Sequence, residues 1–263
     1  MADIVNPTGA RVRVDALMDG AITRLTLDAP PGNVLDRQMI GQLDEAFSST
    51  LGSGARLLLL EGAGSHFSFG ASVAEHVREL AGELIPAFHR MLEKLLAIRL
   101  PTAALVRGQC LGGGLELAAT TDYLFVEEGA KLGVPEIKLA VFPPMACVTL
   151  PWRVGGARAL EMITTGRSLD ASEALSWGLA TRRFEPGKGV DGAIEWVAKQ
   201  LCPLSGAALG FAVRAAREPL LESVRDRLPG LERLYLRELM ETADANEGIA
   251  SFLERRKPLW RNA

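Results

Sequence analysis

Apolar and polar residues alternate between Val12 and Leu27, and the dipeptide Asp19-Gly20 separates two short apolar runs. Alternation of this kind is typical of half-buried strands, and Asp-Gly readily adopts the positive φ angles of a tight turn. This segment is therefore predicted to form a β-hairpin. Pro30-Pro31-Gly32 then interrupts the chain. The apolar residues that follow have helical spacing, which predicts a helix over residues 34–47.

Three short apolar runs follow the hairpin, each bounded by residues that break or turn the chain. Runs of this length are typical of strands buried on both faces of a sheet. The predicted strands are residues 57–60, 103–106 and 123–126, and the helices predicted among them are residues 85–98 and 112–121. This alternation of strand and helix predicts an α/β layer built on parallel strands.

The pattern changes after Pro151, where most segments have helical spacing and are separated by Gly or Pro. The predicted helical segments are residues 155–182, 190–202, 204–217 and 219–256. The chain is therefore divided into an α/β core, residues 1–190, and a helical C-terminal region, residues 191–263.

Composition and charge exclude several classes of function. The 263 residues carry a formal net charge of −3, so general attraction to nucleic acid or to an acidic membrane is not expected. No apolar run reaches the roughly 18 residues of a membrane span, and Met1–Thr8 lacks the apolar core of a signal peptide. Three widely spaced cysteines fit a reducing compartment, so a cytoplasmic location is expected. Neither the cysteines nor the three histidines have the spacing of a metal site, so His66, His76 and His89 are interpreted as structural or surface residues.

Two glycine-rich segments follow predicted strands. Gly62–Ser72 departs from a dinucleotide-binding fingerprint because Phe67 stands where the third glycine belongs, and no phosphate-binding P-loop is present. Gly108–Ala118 contains three consecutive glycines. Such a run is unfavourable in conformational entropy, which indicates that some group must approach the backbone closely.

Two glutamates are the strongest candidates for chemistry. Glu116 lies between Leu115 and Leu117 at the start of a predicted helix, and Glu136 lies between Pro135 and Ile137. Apolar surroundings raise carboxyl pKa values, which prepares one group to act as a base and another as an acid. The sequence leaves open which glutamate has which role.

Together these segments resemble the crotonase (enoyl-CoA hydratase/isomerase) superfamily. The similar segments are Phe67-Ser68-Phe69-Gly70-Ala71, Gly108–Ala118 and Gly133-Val134-Pro135-Glu136, in the order and with the separations typical of the family. The resemblance implies an α/β crotonase-like fold, in which repeated ββα units form a spiral core and a helical C-terminal region mediates trimerisation. It also implies that Glu116 and Glu136 are the two catalytic glutamates of the hydratase branch.

The resemblance further implies an oxyanion hole and a coenzyme A site. The backbone amides of Ala71 and Gly113 match the family's oxyanion hole, which would hold the thioester oxygen. The implied coenzyme A contacts are Phe67, Ser68, Phe69, Gly70, Phe252 and Lys257. An acyl-CoA thioester is then the partner, with no cofactor beyond its coenzyme A moiety, and the chain is expected to form a homotrimer or a homohexamer made of two trimers.

Two departures from the usual family pattern bear on the substrate. Ser72 replaces the usual Asp after the oxyanion-hole Gly-Ala, and Phe142-Pro143-Pro144-Met145 replaces a glycine-rich stretch. Both are similar to the branch that hydrates cyclohexa-1,5-diene-1-carbonyl-CoA, and this apolar pocket wall would suit a flat ring. The alternatives are a short-chain 2-enoyl-CoA hydratase, an enoyl-CoA isomerase and an acyl-CoA-binding scaffold without activity.

Overall fold

The structure is a computed structural model that describes residues 9–49 and 54–263. Its main sheet has six strands. In their order across the sheet they are β1 (Val12–Leu17), β2 (Ile22–Leu27), β3 (Leu57–Gly62), β4 (Thr102–Val106), β6 (Tyr123–Glu127) and β9 (Arg182–Phe184). Within this sheet only β1 and β2 pair antiparallel, and the other neighbouring pairs are parallel.

The predicted hairpin is confirmed, with Leu17 paired to Ile22 next to the turn. Met18, Asp19 and Gly20 all have positive φ. Met1–Thr8, on which the expectation of no signal peptide rests, lies outside the described residues.

Both faces of the main sheet are covered, which explains the four consecutive leucines of β3. Leu58 and Leu60 face a core shared with helices α1 (Arg37–Ser49) and α2 (Arg78–Ala97), whereas Leu57 and Leu59 face α7 (Gly189–Gln200). Successive side chains of a strand point to opposite faces, so a strand covered on both sides must be apolar throughout. The prediction of buried parallel strands is confirmed.

A second, three-stranded sheet was not predicted. Its strands are β5 (Gln109–Leu111), β7 (Lys131–Gly133) and β8 (Ser168–Asp170), with β7 in the centre. Three residues are too few to show a period in the sequence, and the helix predicted over residues 155–182 was wrong at β8 for that reason. That segment instead comprises α5 (Gly156–Thr165), β8 and α6 (Ala171–Ser176).

The remaining helices differ from prediction mainly at prolines. The helix predicted over residues 85–98 begins earlier, as α2 at Arg78, and passes through Pro86. The structure also contains α3 (Gly113–Thr120) and an unpredicted α4 (Ala146–Val154), which includes Pro151. The helices predicted as residues 204–217 and 219–256 are one helix, α8 (Gly206–Arg233), followed by a π-helical turn (Leu234–Glu238), a 3₁₀ turn and α9 (Ala243–Leu253).

Pro219 does not end α8 because the helix packs on the core on both sides of the proline. Arg217, Leu221, Val224 and Leu228 of α8 are buried, while Pro219 is exposed. Tertiary packing of this kind outweighs the single backbone hydrogen bond that a proline removes. No helix in the described ranges is both long and apolar enough to cross a membrane. The division of the chain at residue 190 stays a prediction, and that position falls just inside α7.

Candidate active site

A cavity of about 510 Å³ lies between the α/β core and the C-terminal helices. Its walls come from the loop after β3, from α2, from the start of α3, from the segment after β7 and from the C-terminal helical region. Of the predicted site residues, the cavity is lined by Phe69, Gly70, Ala71, Gly113, Glu116, Glu136, Phe142, Pro143, Pro144 and Phe252. The structure therefore brings both candidate glutamates and both candidate amides to one apolar cavity.

Glu116 lies in the first turn of α3 and is 4% exposed. The backbone N–H of Ala146, the first residue of α4, donates a hydrogen bond of 2.8 Å to Glu116 Oε1. Burial raises the pKa of Glu116, whereas His89 and the amide of Ala146 act in the opposite direction. A helix N-terminus that donates to a carboxylate stabilises its ionised form.

Glu136 lies in the 3₁₀ turn Pro135–Leu139, which directly follows β7. Its Oε2 atom is buried and has no hydrogen-bond partner among the described residues. Burial raises the pKa of Glu136 well above its ordinary value, and the nearby Glu116 carboxylate raises it further. Glu136 is therefore the glutamate that keeps its proton, and Glu116 is the one that ionises first.

Gly112 lets the two glutamates share one cavity. Its φ is +52°, and a Cβ at this position would lie 2.6 Å from Glu136 Oε1. Any other residue would be strained in backbone conformation and would also displace the carboxyl group. The three consecutive glycines were predicted to admit a close neighbour, and at Gly112 that neighbour is the side chain of Glu136.

The amides of Ala71 and Gly113 lie next to each other in the cavity wall. A Cβ on Gly113 would be 3.1 Å from the nitrogen of Ala71, and Gly70 approaches both Leu111 and the nitrogen of Gly113. Neither the Ala71 N–H nor the Gly113 N–H donates a hydrogen bond to an acceptor within residues 9–49 and 54–263. Two adjacent unpaired N–H groups can stabilise a negative oxygen, which is the requirement for an oxyanion hole.

Four predicted site residues do not reach the cavity. Phe67 and Met145 are fully buried in the main core. Ser68 is also fully buried, and its hydroxyl donates to the carbonyl of Asn33 at 2.8 Å and accepts from the N–H of Gly70 at 3.1 Å. Lys257 is exposed beyond the end of α9. Ser68 and Phe67 thus shape the loop that presents Gly70 and Ala71, and a direct ligand contact for these four residues stays a prediction.

Phe69 and Phe252 are exposed by 44% and 54%, although both line the cavity. Aromatic rings that are open to solvent and to a cavity lie at its mouth, where a large ligand would leave it. Phe142, Pro143 and Pro144 line the interior, and the ring of Phe142 packs edge-on against Tyr235 with centroids 5.4 Å apart. Two prolines and two packed aromatic rings therefore form the cavity wall at this end.

Sequence reasoning missed His89 and Tyr235. Both line the cavity, and both have a buried polar atom without a partner among the described residues, Nε2 of His89 and the hydroxyl of Tyr235. All three histidines were interpreted as structural or surface residues. That interpretation suits His66, whose Nδ1 accepts a 3.1 Å hydrogen bond from the N–H of Gln109. The sequence did contain a signal for His89, because it is a polar residue within the apolar stripe of α2. It contained none for Tyr235, which is a single tyrosine in a helical segment.

Neither a reactive thiol nor a set of metal ligands is found among the residues that the structure describes. Cys147 lies close to both glutamates, but burial and the two carboxylates raise the pKa of its thiol to about 12. A thiol with that pKa is not a nucleophile at neutral pH. No group of three His, Cys, Asp or Glu side chains within residues 9–49 and 54–263 could hold a metal ion.

Comparison with known proteins gives a consistent result. The family model described as enoyl-CoA hydratase/isomerase matches residues 18–263. A cyclohexa-1,5-dienecarbonyl-CoA hydratase from Thauera aromatica is 41% identical over 245 residues, which cover 93% of this chain and 94% of the relative. A carnitinyl-CoA dehydratase from Salmonella paratyphi A is 32% identical over 252 residues, 92% of this chain and 96% of the relative.

Solved structures are similar over the same length. The crystal structure of an enoyl-CoA hydratase/isomerase from Pseudoalteromonas atlantica T6c has a TM-score of 0.83 and 27% identity, covering 95% of this chain and all of that one. The predicted crotonase-like α/β fold with a helical C-terminal region is thereby confirmed.

Proposed function

Because the chain belongs to the enoyl-CoA hydratase/isomerase family and is a hydro-lyase, we propose that it hydrates cyclohexa-1,5-diene-1-carbonyl-CoA. The product is 6-hydroxycyclohex-1-ene-1-carbonyl-CoA. The observation that carries this proposal is the placement of two buried glutamates of different basicity beside two unpaired amides. The 41% identical hydratase and the wall formed by Phe142, Pro143 and Pro144 support the cyclic substrate.

Glu116 acts as the general base in this mechanism, because the amide of Ala146 stabilises its ionised form. Its carboxylate takes a proton from water as the water oxygen forms a bond to ring carbon 2 of the diene. The displaced electrons move to the thioester oxygen, which the N–H groups of Ala71 and Gly113 hold. Losing one such donor typically reduces kcat by roughly 10²- to 10³-fold.

Glu136 acts as the general acid, because its raised pKa leaves it protonated before the reaction. It donates its proton to ring carbon 5, and the enolate electrons collapse to leave a double bond between carbons 1 and 6. When the ring is renumbered so that this double bond joins carbons 1 and 2, the hydroxyl-bearing carbon becomes carbon 6. The product is therefore the 6-hydroxy-1-ene. The protonated Glu116 and the ionised Glu136 exchange a proton with solvent to restore the starting state.

Coenzyme A extends from the mouth of the cavity in this proposal. Phe69 and Phe252 lie there with rings that an adenine or a pantetheine chain could contact, and Lys138 also lines the cavity. A protein that binds coenzyme A without turnover would have no need of the paired glutamates.

The test is turnover of cyclohexa-1,5-diene-1-carbonyl-CoA beside crotonyl-CoA, followed by mass and by thioester absorbance. The expected result is preference for the cyclic diene, with a mass gain of one water molecule. Glu116→Gln and Glu136→Gln are each expected to lower kcat by at least ~10²-fold while thioester binding is retained. The matched control is Glu45→Gln on the exposed side of α1, where turnover is expected to be unchanged.

Each contrary outcome has a distinct meaning. Preference for crotonyl-CoA would keep the mechanism and reject the cyclic substrate. Conversion of an enoyl-CoA without a change in mass would favour the isomerase. Normal turnover in both glutamate variants would refute the mechanism.

A homotrimer or homohexamer is also part of this proposal. Large apolar side chains are exposed in the C-terminal region, among them Phe211 of α8 at 73% and Leu259, which follows α9, at 76%. Burial of such side chains against other copies of the chain would stabilise an oligomer. Sedimentation equilibrium should give three or six times the chain mass of 28.2 kDa, and a monomer would contradict the proposal.

A further inference from the structure

Three buried atoms without partners belong to residues that line the candidate active site. They are Glu136 Oε2, His89 Nε2 and the hydroxyl of Tyr235, each without a hydrogen bond to any described residue. A buried polar group left unpaired destabilises the fold, because its hydrogen bonds to water are lost and not replaced. When such groups meet at one cavity, the partner is best sought among the molecules that enter it. The mechanism above uses Glu136 and leaves His89 and Tyr235 without a role.

His89 has one ring nitrogen, Nε2, without a hydrogen-bond partner among the described residues. The side chain is 2% exposed, and Nδ1 lies 2.7 Å from Oε1 of Glu232 in the last turn of α8. An ionised carboxylate can only accept a hydrogen bond, so Nδ1 carries the proton. Nε2 then accepts a hydrogen bond when the imidazole is neutral and donates one when it is protonated.

Tyr235 presents a hydrogen-bond donor. It is 1% exposed and lies three residues after Glu232, so both side chains leave the C-terminal helical segment on the same side, toward α2. Burial raises the pKa of Tyr235, and Glu136 and Glu116 raise it further, which keeps the phenol protonated. The residue occurs in a π-helical turn, a feature that is frequent at functional sites.

We propose that His89 and Tyr235 form a hydroxyl-binding subsite, which holds the hydroxyl group that hydration leaves on the acyl moiety. A hydroxyl both donates and accepts hydrogen bonds, so it can pair with His89 Nε2 in either protonation state of the ring and can accept from the Tyr235 O–H. A carbonyl or carboxylate oxygen only accepts, so it could pair with both groups only when His89 is protonated. This inference rests on the proposed function, because only a hydrated acyl-CoA brings such a hydroxyl into the cavity.

The subsite is tested by comparing two ligands that differ only in the hydroxyl. Isothermal titration measures the Kd of 6-hydroxycyclohex-1-ene-1-carbonyl-CoA and of cyclohex-1-ene-1-carbonyl-CoA, using proteins that all carry Glu116→Gln to prevent turnover. Adding Tyr235→Phe is expected to weaken binding of the hydroxylated ligand by about 5- to 10-fold and to leave the other ligand unchanged. Equal effects on the two ligands, or no effect on either, would overturn the subsite.

The matched control is Tyr123→Phe in β6, because Tyr123 lies in the core on the α7 side of the sheet and does not line the cavity. It is expected to leave both Kd values unchanged. If the parent protein bound neither thioester, the proposed function itself would fail, which is a different result from loss of hydroxyl discrimination alone.

A stability measurement separates this role from a structural one. Tyr235→Phe keeps the ring that packs on Phe142 and removes a hydroxyl that has no partner among the described residues, so the midpoint of urea unfolding should not fall. A lower midpoint would mean that the hydroxyl bonds within the protein, and the subsite would be rejected.

Discussion

Two buried polar clusters lie along the C-terminal helical segment, and they differ in how completely their hydrogen bonds are satisfied. The first surrounds Arg217 in α8, and the second surrounds the cavity that contains Glu116, Glu136, His89 and Tyr235. All five N–H groups of Arg217 have acceptors. In the cavity, three residues have an unpaired buried atom.

The Arg217 cluster joins α8 to the α/β core. Its guanidinium pairs with Asp122 and also donates to the carbonyls of Leu96, Ile98 and Leu100, which lie around the end of α2. Asp122 in turn accepts from the N–H of Thr102 at 2.7 Å, at the start of β4. Every polar group there is directed at another part of the chain, so the cluster is structural.

In the cavity cluster, by contrast, several polar atoms have no hydrogen-bond partner among the described residues. Its carboxyl, imidazole and phenol groups are held in place by apolar packing and by single hydrogen bonds, and their remaining atoms are left for a ligand. Such unpaired groups reduce stability, and proteins retain them at functional sites where the reaction or the ligand uses them. The difference between the clusters can be tested by substitution in each.

The largest effect on stability is expected from Arg217→Met. This change leaves the Asp122 carboxylate without its main ion pair and three carbonyls without donors, so the free energy of unfolding should fall by about 3–5 kcal/mol. Urea unfolding measures this change. Arg214→Met, one turn earlier on the exposed side of α8, is the control and should alter stability by less than about 0.5 kcal/mol. Equal effects of the two variants would mean that the buried cluster has no special role.

A smaller effect of opposite sign is expected from Glu136→Gln. The folded protein holds the Glu136 proton at pH values where the unfolded chain has released it, because burial and Glu116 raise the pKa of this carboxyl from 4.5 in the fold. Stability therefore falls as pH rises from about 4.5 through the raised pKa. Glutamine has no such proton, so the variant should be more stable than the parent at neutral pH by about 0.5–2 kcal/mol.

The pH dependence provides the check on that prediction. The stability difference between the Glu136→Gln variant and the parent should vanish near pH 4 and grow toward neutral pH. The exposed Glu45→Gln substitution should show no such trend. A difference that stayed constant with pH would contradict the raised pKa of Glu136.

The sequence predicted the parts of this molecule in which local pattern and tertiary environment agree. The hairpin at Asp19-Gly20 and the strand at Leu57–Leu60 follow from turn chemistry and from burial on both faces of a sheet. Glu116 and Glu136 could be selected because a carboxyl group among apolar residues is unusual. The strands β5, β7 and β8 could not be predicted, since three residues are too short to show a period.

By itself, the sequence indicated Glu116 and Glu136 as candidates for chemistry and, through its resemblance to the crotonase family, the α/β fold. Only the tertiary structure decided which of them share a cavity. Three predicted site residues, Phe67, Ser68 and Met145, are buried behind the cavity walls. His89 and Tyr235 line the same cavity, although they are more than 140 positions apart in the sequence. The physical reason is that the folded surroundings decide whether a polar group has hydrogen-bond partners. Arg217 and Tyr235 lie in one helical segment. Arg217 has acceptors for its N–H groups, whereas the Tyr235 hydroxyl has no partner among the described residues and is left for a ligand.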